Sequence, residues 1–186
     1  MVTKEVYEYT IGNAPRANKY VPKQEVMNLR CTKAAEELRK QKYPIDQIIS
    51  FTIEFLQKYG LKNAQCEYLV GNNVSNLLTP RARYNKYNEI QRKFQLNSRK
   101  HLVWMKFTKS GYLGVVAASD DINFDLTNTS GEIISHLKQD WDKSFILVFP
   151  LPNICDKERS DIECGIGNYL IKKDVPILDF YSHRYK

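Results

Sequence analysis

Several things are missing from this 186-residue sequence, and each absence narrows what the chain can be. No stretch approaches the roughly 18 apolar residues of a membrane span. The longest apolar run, Phe145 to Leu151, has a proline inside it, so no membrane partner is expected. The opening residues do not pair a basic start with an apolar stretch as a secretory leader does, which makes the expected location cytoplasmic. Cysteine is scarce. Cys31, Cys66, Cys155 and Cys164 form no C-x-x-C pair, and in a reducing compartment they read as small buried thiols instead of disulfides. A zinc site from Cys155, Cys164 and His183 would match no standard ligand spacing, so neither metal nor cofactor is expected. The other histidines, His101 and His136, stand far apart and form no metal motif. There is no internal repeat, which excludes a solenoid. A nuclease would place acid-x-lysine within a strand to hold a divalent metal beside the attacked phosphate. Glu89-Ile90-Gln91 lies outside any expected strand, and Asp140 with Asp142-Lys143 precedes one.

What remains is an ordinary globular composition, 42% hydrophobic and 26% charged, with a net charge of +7. That charge is local. Residues 1–80 carry 11 basic and 8 acidic side chains, residues 81–100 carry 7 and 1, and residues 101–186 carry 10 and 12, giving +3, +6 and −2. The basic segment holds Arg81, Arg83, Lys86, Arg92, Lys93, Arg99 and Lys100, interleaved with Tyr84, Tyr87 and Phe94. Cations at this density meet phosphates and the rings can stack on bases, so a nucleotide-like small molecule or a nucleic acid is the expected partner. The competing reading is the solvated face of a surface helix.

Apolar periodicity divides the chain into a helical region, 1–64, and an α/β region, 65–186. Met27, Cys31, Ala34, Ala35 and Leu38 fall on one helical face. Pro44 breaks the pattern, and Ile45, Ile48, Ile49, Ile53 and Leu56 make a second helix closed by Gly60. The expectation is an appended helical hairpin that covers the rest of the chain or joins two copies as a homo-oligomer. Strands are expected at 65–71, 101–107, 112–118, 144–150 and 175–180, with a hairpin turn at Thr108-Lys109-Ser110-Gly111 and helices from Ser130 to Trp141 and from Ser160 to Lys172. Strand and helix in alternation predict βαβ crossovers, and hence a Rossmann-like three-layer α/β unit with a partly parallel sheet.

In such a sheet ligands bind beyond the carboxyl ends of the strands. The sharpest pattern there is Ser160-x-x-Glu163-x-Gly165-x-Gly167, followed by Asp174-Val175-Pro176-Ile177. It resembles the T-x-x-E-x-G-x-A segment, closing with a lysine-proline-valine strand, of the nucleoside 2-deoxyribosyltransferases and related Rossmann-like N-glycosidic enzymes. The lysine-decarboxylase-like phosphoribohydrolases have a similar helix start. The resemblance implies a hydrolase or transferase of N-glycosidic bonds in which Glu163 attacks the anomeric carbon. Beside it, strand-end position alone nominates Asp156 or Asp120 as a second acid and Tyr181 and His183 as residues lining the crevice. Ser160 and the first-turn amides could hold a phosphate or sugar oxygen, and Gly165 and Gly167 allow close approach. The same four residues also spell a capping box, Ser160 to Glu163, which needs no substrate.

Overall fold

The computed structural model describes residues 43–118, 122–127 and 129–180. The expected helix at 27–38 therefore lies outside the described residues, as do Cys31, Asp120, Tyr181 and His183. Five strands form one sheet: β1 (Glu67–Val70), β2 (Leu102–Thr108), β3 (Leu113–Ala117), β4 (Trp141–Pro150) and β5 (Ile177–Phe180). The helices are α1 (Ile45–Tyr59), α2 (Asn72–Ser75) with a 3-10 turn at Asn76–Leu78, α3 (Pro80–Phe94), α4 (Thr129–His136) and α5 (Asp156–Lys172).

The mixed α/β architecture with a partly parallel sheet is present, with the parallel part confined to one pair. The strand order is β1-β4-β2-β3-β5. The pairs β1·β4, β4·β2 and β2·β3 are antiparallel, and β3·β5 is parallel. It follows that β3, β4 and β5 run one way and β1 and β2 the other. Both β3-α4-β4 and β4-α5-β5 are crossovers between strands of like direction. Their strands do not touch, because β2 lies between β3 and β4.

Two apolar clusters cover the two faces. Alternation along β2 sends Val103, Met105 and Phe107 toward α1 and α5, and Leu102 and Trp104 toward α3 and α4. β4 divides in the same way, with Leu147 and Phe149 on the first face and Ile146 and Val148 on the second. A sheet buried on both sides accounts for the unbroken apolar runs in the sequence.

Helix α1 ends as its sequence requires. Gly60 adopts φ 116°, its N–H reaches the Gln57 carbonyl, and the Leu61 N–H closes on the Leu56 carbonyl at 2.9 Å. The apolar face of α1 is covered by α5, with Phe55 against Tyr169 at 5.6 Å between ring centres. Two expected boundaries are corrected. Trp141 opens β4 instead of closing α4, which ends at His136. Its fully buried indole packs against Gly114, where a methyl group would come within 2.5 Å of the ring. Helix α5 begins at Asp156, four residues before Ser160. Its start is hidden in the sequence because Asp156-Lys157-Glu158-Arg159 carries no apolar residue to announce a helical period.

Candidate active site

The two crossovers leave opposite faces of the sheet. The chain from β3 passes through α4 on one side, and the chain from β4 passes through α5 on the other. That divergence makes the carboxyl ends of β3 and β4 the place where a ligand crevice is expected. Because β2 is antiparallel and sits between them, its amino end, not its carboxyl end, opens at that point. His101, the residue before β2, is thereby carried to the same place as the loop that follows β4. The Leu151 N–H donates to the His101 carbonyl at 2.9 Å, which fixes the two segments side by side.

His101 is 4% exposed, and its Nε2 lies 3.0 Å from Oδ1 of Asp156, the first residue of α5. A carboxylate only accepts, so this contact calls for the Nε2–H tautomer. The other ring nitrogen, Nδ1, is buried and meets no hydrogen-bond partner among the described residues. His101 is therefore turned wholly toward Asp156, whose side chain remains 79% exposed. Asp156 is the group presented to solvent. The His101 hydrogen bond first, and then the nearby charges of Arg159 and Lys100, hold its carboxyl below the usual carboxylate range. It is ionised at neutral pH, as a base or an electrostatic partner must be, and not as an acid must be.

Two cations frame this pair. Arg159, one turn along α5, donates from Nη1 to the Lys100 carbonyl at 3.3 Å, and Asn97 donates to the Ile154 carbonyl at 3.4 Å. The end of the basic segment is thus tied to the start of α5. Tyr59, at the end of α1, has its phenol pushed up to about 12, chiefly by burial and then by the charges of Glu158, Asp161 and Cys155. It stays protonated and can donate.

The capping-box reading of Ser160 and Glu163 is corrected. The N-cap is Cys155, which is exposed and whose N–H donates to Oε2 of half-buried Glu158 at 2.7 Å. An exposed Cys155 also departs from the expectation of buried thiols. Cys66 is half-buried, with its thiol pushed up to about 12 by burial, and Cys164 is buried. Ser160 is the fifth residue of α5 and lies too deep to cap it. Glu163 is only 1% exposed, inside a run from Ile162 to Leu170 that is buried without interruption and includes Gly165 and Gly167. Asp156 and Glu163 are seven residues apart, so they fall on one stripe of the helix with about 10 Å of axial rise between them. Among the described residues no group of three His, Cys, Asp or Glu side chains is arranged to hold a metal ion.

The basic segment forms α3 and the loop after it. Thr79 caps the helix by accepting from the Ala82 N–H at 3.3 Å, and Pro80 occupies its first turn. Tyr87 and Ile90 face the core. Arg83 donates to the Leu77 and Leu78 carbonyls, both at 3.1 Å. Lys86 pairs with Glu89 at 2.9 Å and Lys93 with Glu67 at 3.1 Å. Arg92 donates from Nε to the Asn88 carbonyl, and Arg99 lies 4.6 Å over the Tyr84 ring. Arg81 stands exposed on the first turn.

Sequence reasoning reached Asp156 from its place after a strand. It missed Arg159, one turn further along the same helix, Tyr59 at the end of α1, and His101, which joins Asp156 only once β2 is known to lie between β3 and β4. Nothing in the linear pattern states that order. Comparison of the chain with protein families, with curated proteins and with solved structures finds no match. No helix among the described residues is long and apolar enough to cross a membrane.

Proposed function

We propose that the protein cleaves or transfers the N-glycosidic bond of a nucleoside, nucleotide or dinucleotide at the carboxyl end of a Rossmann-like sheet, with Glu163 as the carboxylate that meets the anomeric carbon. The observation that carries this reading is a nearly inaccessible carboxylate, Glu163, on the same stripe of α5 as a carboxylate kept ionised by a buried histidine. Removing a carboxylate from water costs several kcal/mol, so one enclosed in the helix that starts beside the expected crevice is a candidate for chemistry.

The glycosidic C–N bond breaks with its electron pair passing to the base nitrogen, and the sugar becomes oxocarbenium-like. The Glu163 carboxylate, in a low-dielectric setting, either donates a pair to the anomeric carbon or stabilises its charge. In hydrolysis the water oxygen bonds to that carbon, any bond formed to Glu163 breaks with its pair returning to the carboxylate, and the water proton goes to ionised Asp156. The departing base takes a proton from Asp120 or His183, which follow β3 and β5 in sequence. Lys100 and Arg159 supply charge for a substrate phosphate, Ser160 a hydroxyl, Tyr59 a donor, and Tyr181 a ring for the base. The reading requires that substrate binding open a path to Glu163.

The test is chromatographic measurement of free base from a nucleoside, a nucleoside 5′-monophosphate and a dinucleotide. Base release from at least one is expected, strongly reduced in Asp156→Asn. In His101→Ala the acid limb of the rate profile moves to higher pH, because the carboxyl loses the hydrogen bond that lowers it. No base from any of the three, or an Asp156→Asn variant with unchanged rate and profile, overturns the proposal.

A further inference from the structure

A second surface runs along the outside of α3, distinct from the two carboxylates. Three of the basic side chains there are occupied by the fold: Arg83 by the carbonyls of the preceding 3-10 turn, Lys86 by Glu89 and Lys93 by Glu67. The others follow a stripe. Tyr84, Asn88, Gln91 and Arg92 stand at helical spacings of four, seven and eight, and Arg81 stands one turn before Tyr84. Arg99 returns from the loop and lays its guanidinium over the Tyr84 ring, which remains 50% exposed. Further along, an open depression of about 490 Å³ is lined by Asn88, Gln91, Arg92 and Leu96. The bond from Arg92 Nε to the Asn88 carbonyl, at 3.3 Å, holds that guanidinium at the rim. Gln91 is held in turn by its own bond to the Leu96 carbonyl at 3.2 Å. Among the described residues no acidic side chain pairs with Arg81 or Arg92.

We propose that this stripe binds single-stranded nucleic acid. One base stacks on Tyr84 beside Arg99, a neighbouring base enters the depression over Leu96 against the Asn88 and Gln91 amides, and Arg81 and Arg92 take the phosphates. An exposed ring next to a guanidinium suits an unstacked base of any sequence. A duplex hides its base faces and would meet only the cations. An acidic peptide would also use the cations alone and leave the ring and the depression unfilled. The run from Tyr84 to Arg92 rises about 12 Å, enough for a footprint of a few nucleotides. Arg99 and His101 are two residues apart, within about 7 Å along the chain, so a strand lying on α3 would end beside Asp156.

The experiment is fluorescence anisotropy of the full chain with a short labelled oligothymidine and, in a separate arm, oligouridine, each across a salt series. Two arginine–phosphate contacts predict a slope of log K against log salt of about −1.4. Arg92→Ala reduces that slope by about 0.7, and Tyr84→Ala weakens binding about tenfold with the slope unchanged. Lys93→Ala, whose charge is already paired, leaves the Tyr84-dependent term intact. Because Tyr84 and Arg92 are exposed, the variants keep the parent melting temperature, which is measured alongside. Equal affinity in Tyr84→Ala, equal affinity for a duplex of the same length, or displacement by polyglutamate at matched charge would each overturn the proposal. Binding to oligothymidine and oligouridine alike supports a strand of either kind, and binding to one of them alone supports it and identifies the strand. Failure here leaves the base-release assay untouched, since that assay uses mononucleoside substrates.

Discussion

Helices α3 and α5 are of similar length, 15 and 17 residues, and lie on opposite faces of one sheet, yet the chain uses them in opposite ways. α5 is buried on every side from Ile162 to Leu170, whereas α3 sinks only Tyr87 and Ile90. A helix enclosed on all sides can carry a charged group only at high cost, so Glu163 stands out there. A helix that gives two residues to the core is free to present cations outward. The face beneath α3 also holds a buried lysine, one with a carbonyl partner and aromatic rings around its ammonium. Lys106, 2% exposed, donates to the Asn123 carbonyl and lies 4.1 Å over the Trp141 ring, with the Trp104 and Phe124 rings also near. Its ammonium is a structural tie between β2 and the segment at 122–127.

The contrast can be broken at either helix. Phe55→Ala removes the ring that α1 sets against Tyr169 of α5. It should cost about 3–5 kcal/mol in chemical denaturation, because an enclosed site collapses poorly. A loss below about 1 kcal/mol would mean that α5 is less firmly enclosed than described. On the other helix, Thr79→Ala removes the cap of α3 and should cost about 1 kcal/mol, while Lys93→Ala, an exposed ion pair, should change stability by less than about 0.5 kcal/mol. Losses as large as that of Phe55→Ala would show that α3 is as deeply committed to the core as α5.

How far the sequence could be read follows the same division. Helix α1 with its Pro44 and Gly60 boundaries and the hairpin turn at 108–111 state themselves locally, through capping and turn residues and apolar spacing. Only the start of α5 does not: the helix expected from Ser160 to Lys172 is present, but it begins at Asp156 because its wholly polar first turn marks no period. Trp141 misled for a related reason, since a large apolar residue fits the end of a helix as well as the start of a strand. Strand order was beyond reach of periodicity. Alternation correctly foretold crossovers, but the insertion of β2 between β3 and β4 is a long-range fact, and it is what brings His101 to Asp156. Asp156 was legible because any polar residue after a strand can be nominated, whereas its partner lies 55 residues earlier in the chain.

The claim that matters most is that Glu163 is kept in α5 for chemistry and not for the fold. Glu163→Gln preserves the shape of the side chain while removing the carboxyl group that the proposed step needs. Melting temperature and base release should be measured on the same preparation of this variant. The account predicts a melting temperature within about 4 °C of the parent, as for a change near 1 kcal/mol, and base release reduced to background. Base release retained at the parent rate would contradict it, and so would a variant that no longer folds.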